Sequence, residues 1–233
     1  MSEFRPSLHE QSNHIGSQSL VARNRVLRNT YWLLALSMVP TILGAVLGLQ
    51  TGINRIMGGS PGMSAIIFLA GAFGLMFLVE RNKNNSSGIA FLMAFTFFMG
   101  IMLSRVLGFV LGMGNGAQLV MLAFGGTAAV FGAMATVAST TKRDFTGMQK
   151  FLFVGAIILL VVALANIFLQ LPALMLTISV MAIGIFSAFL LVDLQRVING
   201  GETNYISATL AIYLDVYNIF SNLLMLLGLT SRD

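Results

Sequence analysis

Residues 150–193 read KFLFVGAIILLVVALANIFLQLPALMLTISVMAIGIFSAFLLVD, two apolar runs parted by Gln170, Leu171 and Pro172. A helix needs about 20 apolar residues to cross a hydrocarbon core roughly 30 Å thick, and each run meets that length. Pro172 has no backbone N–H and clashes with the preceding turn, so it ends one helix and starts a tight hairpin into the next. Working outward, five more apolar segments appear, and the chain divides into spans near 31–50, 63–80, 88–112, 117–138, 150–170, 173–193 and 206–229. The composition agrees: 57% hydrophobic and 9% charged residues with a mean hydropathy of +0.87 exclude a soluble globular chain. The expected fold is an all-α membrane protein of seven transmembrane helices.

Ahead of the first span lies MSEFRPSLHEQSNHIGSQSLVARNRVLRN, residues 1–29, polar and without an apolar period. Such a segment buries too little surface to offset its chain entropy, so the reading is a disordered tail over 1–29 and a membrane domain over 30–233. The first apolar run starts near Tyr31, too far in for a signal peptide. Both histidines, His9 and His14, fall in the tail and read as solvated rather than as metal ligands.

Basic residues are distributed by side. Arg5, Arg23, Arg25, Arg28, Arg81, Lys83, Lys142, Arg143, Lys150 and Arg196 fall at one end of the spans, against Arg55 and Arg232 at the other, with Arg105 inside the third. The positive-inside rule then places the N-terminus in the cytoplasm, and an odd number of spans places the C-terminus outside. The formal charge of +5 is spread without a basic cluster interleaved with aromatics, which argues against nucleic-acid binding. The absence of cysteine excludes disulfides and thiolate metal sites. Small residues at one-turn spacing (Gly44 and Gly48, Gly71 and Gly74, Gly108 and Gly112) let helices approach closely, giving a compact bundle rather than a wide pore.

Two acids sit inside apolar segments: Asp193 in FLLVDLQ and Asp215 in IYLDVYNIF. An acid at membrane depth costs several kcal/mol unless it is paired, protonated or wetted. On the last span Ala208, Ala211, Asp215, Asn218 and Asn222 recur at steps of three and four, one face of a helix that should turn toward protein. Asp215 lies about 15 Å in from the preceding loop at 1.5 Å per residue, too deep to reach the surface. Its satisfied alternative is a protonated acid bonded to Asn218, Asn222 or a tyrosine hydroxyl. Asp193 stands three residues before Arg196, a spacing that forms an ordinary ion pair on a helix. If the two acids meet, their titrations couple and the pair becomes a proton sensor or a cation site. The depths differ by about two turns, so a kinked or re-entrant 194–206 connection would have to bring them together. Glu80 at the end of the second span is a third acid that could join, with neighbouring Arg81 as its alternative partner.

Catalytic arrangements are missing. No histidine lies in a span, and HExxH does not occur, which excludes Ser–His and zinc chemistry in the bilayer. Asp215 stands in YLDV, not in the glycine-flanked GxGD setting of an intramembrane aspartyl protease. GMGNGAQ (residues 112–118) joins two spans without a preceding strand and is no phosphate loop. The chain reads as a non-enzyme.

NIFLQLPAL (Asn166–Leu174) and GGETNYISATLAIYLDVYNIF (Gly200–Phe220) are long and idiosyncratic. Through them, and over nearly the whole chain from VLRNTYWLL (Val26–Leu34) onward, the sequence resembles the Bax inhibitor family of seven-span membrane proteins. The resemblance implies a central last helix surrounded by six others. Within the bacterial branch that modulates the FtsH protease, it implies a multi-pass protein of the inner membrane that is partner and substrate of FtsH, associated with its HflK and HflC regulators, and that limits degradation of other membrane proteins. The cytoplasmic tail would be the handle that the protease pulls. Another branch is described as pH-sensitive calcium-leak proteins, which implies Asp193 and Asp215 as the acid pair, with Asn218, Asn222, Glu80 and Arg196 around it. Glu80 departs from that pattern, standing where leak-type relatives carry a basic residue. Two carboxylates and an amide fall short of the six to eight oxygens calcium prefers, so Asp193 and Asp215 would make a weak transit site, and no resident cofactor is expected.

Overall fold

The computed structural model describes residues 8–52 and 61–231, with side chains from Arg23 in the first stretch and from Gly62 in the second. Seven α-helices cover them: α1 (Leu8–Thr51), α2 (Pro61–Arg81), α3 (Ser86–Leu111), α4 (Gly116–Thr140), α5 (Gln149–Leu169), α6 (Pro172–Ile198) and α7 (Tyr205–Thr230). Among the described residues there is no strand. Each helix has a stretch long and apolar enough to cross a membrane, beginning in α1 at Arg23. The chain is a polytopic α-helical membrane protein.

The hairpin expected at Pro172 is present. Gln170 ends α5 in the left-handed region, and Pro172 opens α6 at its first turn. Buried Asn166 closes the turn by accepting from the Leu171 N–H at 3.0 Å and donating back to the Leu171 carbonyl at 3.3 Å. Two boundaries differ from the sequence reading. Among the described side chains, packing in α1 starts about one turn before Thr30, because Val26 and Leu27 pack against the core; the backbone is helical from Leu8. Helix α6 runs on from Asp193 to Ile198, because Leu194, Gln195 and Val197 are all buried there. Hydropathy ended the span early at a charge that the fold accommodates.

Helix α7 touches five of the other six helices, α1, α2, α3, α4 and α6. Helix α5 is the exception: it lies outside, packed on α6 and brushing α2. The last helix is therefore central, with one of the six displaced to a second layer. Its core partners include Val79 of α2, Leu92, Phe95 and Met99 of α3, and Leu190 and Leu194 of α6, gathered around Tyr213.

Helices α1 and α3 make the most extensive contact. A methyl group on Gly44 would run into the Phe97 carbonyl, one on Gly100 into the Thr41 carbonyl, and one on Gly48 into the Ser104 side chain. The backbones thus touch directly, which is how helices associate where lipid supplies no hydrophobic drive. Gly71 faces the Phe98 ring, whereas Gly74 meets nothing and Gly112 has no crowding neighbour. Pro40 lies inside α1, and the hydroxyls of Ser37 and Thr41 beside it bond to the carbonyls of Leu34 and Ser37.

Gly100→Leu should separate α1 from α3 and cost about 1–3 kcal/mol or more, as overpacking does. Gly74→Ala should be neutral or stabilise by up to about 1 kcal/mol, the helix-propensity gain. Melting temperatures in one detergent check the pair; equal effects would contradict a backbone-contact interface.

Candidate functional site

Helices α6 and α7 are joined by residues 199–204, and the turn fixes how their side chains face. The N–H groups of Gly201 and Glu202 both donate to the Arg196 carbonyl, at 2.8 and 3.2 Å. Gly200 takes φ +77°, a conformation that suits glycine. The Asn204 side chain then caps α7 by accepting from the N–H groups of Ile206 and Ser207 at 2.9 and 3.2 Å. No re-entrant segment is needed. Asp193 sits five residues from the end of α6 and Asp215 ten residues into α7, an axial offset of about 7.5 Å that antiparallel packing accommodates.

The two carboxyl groups meet within hydrogen-bonding range. Carboxylates offer acceptors only, so a hydrogen bond between them requires a proton held in it. Two ionised groups at that range in a poorly solvated interior would repel strongly. Asp215 is 4% exposed, and its Oδ2 is buried with no further hydrogen-bond partner among the described residues. Asp193 is 8% exposed and faces outward to Arg196 at 3.5 Å; Arg196 also reaches Glu202 at 3.4 Å. The order from depth to surface is Asp215, Asp193, Arg196, Glu202.

The other anticipated residues stand apart. Asn218 donates to the Leu214 carbonyl and Asn222 to the Asn218 carbonyl, both at 2.8 Å, so each amide bonds within its own helix. Tyrosine hydroxyls are engaged elsewhere. Tyr213 shares a 2.8 Å bond with Thr41 of α1, and Tyr217 donates to the Met99 carbonyl of α3 at 3.2 Å. Glu80 does not join the acids: it pairs at 2.9 Å with Lys83, and not with Arg81. Lys83 lies in the turn just past the end of α2, which folds it back over Glu80. The Glu80 carboxylate holds the exposed Lys83 ammonium above its usual range. Among the described residues no cluster of three or more His, Cys, Asp or Glu could hold a metal. The histidine side chains, Arg55 and Arg232 lie outside the described residues.

Three polar anchors around the pair escaped the sequence reading. Gln195 is fully buried; it accepts from the Phe145 N–H at 2.8 Å and donates to the Arg143 carbonyl at 2.6 Å. That fixes the α4–α5 loop against α6, beside Asp193. Asn204 donates to the Lys83 carbonyl and to Asn84, both at 3.0 Å, fixing the α2–α3 loop against α7. The Thr209 hydroxyl donates to the Tyr205 carbonyl of its own helix at 2.7 Å and lies 3.3 Å from the Thr30 carbonyl of α1. Only Thr209 is flanked by apolar residues; Gln195 precedes Arg196 and Asn204 sits in a polar turn, and nothing in the sequence names the partner of any of them. In the loop that Gln195 holds, Asp144 accepts from the N–H and hydroxyl of Thr146, which hold its carboxyl below the usual carboxylate range.

A family model described as inhibitor of apoptosis-promoting Bax1 matches residues 23–232, almost the whole described bundle. The chain belongs to the Bax inhibitor family. Within this Bax inhibitor group it is 42% identical over 215 residues to the modulator of FtsH protease YccA of Escherichia coli strain K12, covering 92% of this chain and 94% of that protein. It is 40% identical to an uncharacterized protein of Neisseria meningitidis serogroup B, covering 91% and 95%. An uncharacterized membrane protein of Vibrio cholerae is 38% identical, covering 90% and 92%. None of these names, nor the Bax inhibitor description, denotes an enzyme.

Gln195→Leu should strand the Phe145 N–H and the Arg143 carbonyl at a cost of about 1–3 kcal/mol and free the loop. Limited tryptic digestion from the loop side should cut after Lys142 or Arg143 faster than in the parent protein. Unchanged cleavage would show that the loop is held by something else.

Proposed function

We propose that this chain is a non-enzymatic inner-membrane modulator and substrate of an FtsH-type ATP-dependent protease. One observation carries the reading: the likeness to a protein named modulator of FtsH protease extends over 92% of the chain. Basic residues at the α1 start, the α2–α3 and α4–α5 loops and the α6 end put that side in the cytoplasm. The C-terminus is then periplasmic. The polar segment ahead of Arg23 precedes the first membrane-spanning stretch, so it is the handle available to a protease pulling from that side, and its composition favours disorder when free. Occupation of the protease by a slowly extracted bundle spares other membrane substrates. Direct backbone contact of α1 with α3 supports slow extraction, because pulling on α1 breaks that interface first. The regulators HflK and HflC join as partners through the same protease.

Removing residues 2–22 should lengthen the half-life of the chain several-fold in cells that contain the protease, with the melting temperature of the bundle unchanged. Pulse-chase labelling measures this. Equal turnover of the truncated and full-length chains would refute the handle.

A second reading rests on the meeting of Asp193 and Asp215. A proton shared on a helix seam makes the pair a pH-responsive element, and its opening would admit a calcium or proton leak along α7. Asp215→Asn should then abolish the pH dependence of calcium flux in proteoliposomes. Absence of flux in the unaltered protein at both mildly acidic and mildly alkaline pH would end this reading.

A further inference from the structure

At the basic end of the bundle, a groove of about 510 Å³ opens between α5 and α6. Gln149, Lys150, Phe153 and Val154 of α5 line one side and Phe189 of α6 the other. Its volume is that of a small-ligand site. Polarity runs along its length. Gln149 and Lys150 stand at the mouth, at the start of the span, whereas Phe153 and Val154 lie about 5 Å further in along the helix. Phe153 and Val154 are 59% and 56% exposed, so the inner part offers an uncovered apolar wall.

The charge at the mouth is uncompensated. Lys150 is exposed and forms no ion pair among the described residues. Lys142 and Arg143 lie on the adjoining loop, whose backbone Gln195 holds against α6. Asp144 is the acid in that loop, and its carboxylate is occupied by Thr146. No acid lies on α5.

We propose that this groove holds one anionic phospholipid of the basic-side leaflet, its phosphate on Lys150 and the start of an acyl chain along Phe153, Val154 and Phe189. Basic pockets between transmembrane helices recognise anionic headgroups in this way. A soluble anion would satisfy Lys150 and leave the apolar wall bare, and a neutral lipid would cover the wall and leave the charge unmet. The groove matches a molecule with both parts.

Native mass spectrometry of the full chain, released from detergent after mixing with equal phosphatidylglycerol and phosphatidylcholine, tests the site. The expected result is about fivefold preferential retention of phosphatidylglycerol, the equivalent of about 1 kcal/mol for one basic residue. Lys150→Ala should reduce the preference and Lys150→Glu abolish it, while Arg105→Glu on α3 leaves it intact. Phe153→Ala should lower retention of both lipids, and inorganic phosphate should displace neither. Equal retention by the parent protein, a preference that survives Lys150→Glu, or displacement by inorganic phosphate would overturn the proposal. Lys150 is exposed, so its variants should melt with the parent; if Lys150→Glu does not, Lys150→Ala decides.

Discussion

The close approach of the Asp193 and Asp215 carboxyl groups joins α6 to α7 where both acids are buried. In a bilayer each polar group must find its partner inside the protein, and an acid on α7 at this depth finds it on the neighbouring helix. The requirement sets the register of the two helices and asks for the tightly capped turn at 199–204. It also places Arg196 and Glu202 above the pair, so that the ion pairs sit toward the surface and the more buried acid, Asp215, toward the interior. The order is energetically sensible, because separated charges are far cheaper near water than at depth.

Helix α7 carries a second polar stripe with a different use. Tyr213 and Tyr217 spend their hydroxyls on α1 and α3, and Thr209 bonds chiefly to Tyr205 of its own helix while reaching Thr30 of α1. Asn218 and Asn222 turn back onto their own helix. Interhelical hydrogen bonds in membranes contribute about 0.6 kcal/mol each on average, so the tyrosine stripe selects a register more than it supplies bulk stability. Close packing through Gly44, Gly48 and Gly100 supplies more. At the basic end, Gln195 and Asn204 fix two loops to the same pair of helices, so the acid pair, the loops and the start of α7 form one connected unit.

Much of this was legible in the residues. Apolar runs and Pro172 located the spans and the hairpin; of the stripe at steps of three and four on the last span, Ala208 and Asp215 are buried, while Ala211, Asn218 and Asn222 are only partly so, and Ile212, Ile219 and Leu224 from the other faces are fully buried. Two things could not be read. Whether Asp193 and Asp215 meet depends on a turn whose geometry rests on Gly200 and on backbone bonds to Arg196, which hydropathy does not register. Partner choice is the other: Glu80 beside Arg81 suggests a neighbouring pair in sequence, yet the turn after α2 brings Lys83 back to it. Gln195 and Asn204, which the sequence does not single out, are the loop anchors. Gly100, which sits in a less conspicuous context than Gly44, is as tightly placed.

In this Bax inhibitor family bundle the last helix touches five of the other six, and the acid pair is where it meets α6 at depth. A double-mutant cycle on Asp193→Asn and Asp215→Asn, measured as unfolding free energy in one lipid mixture, tests that coupling most directly. The account predicts that the double variant departs from the sum of the single effects by about 1 kcal/mol or more, as contacting residues do. Additivity within about 0.5 kcal/mol would mean that the two acids act independently and would contradict it.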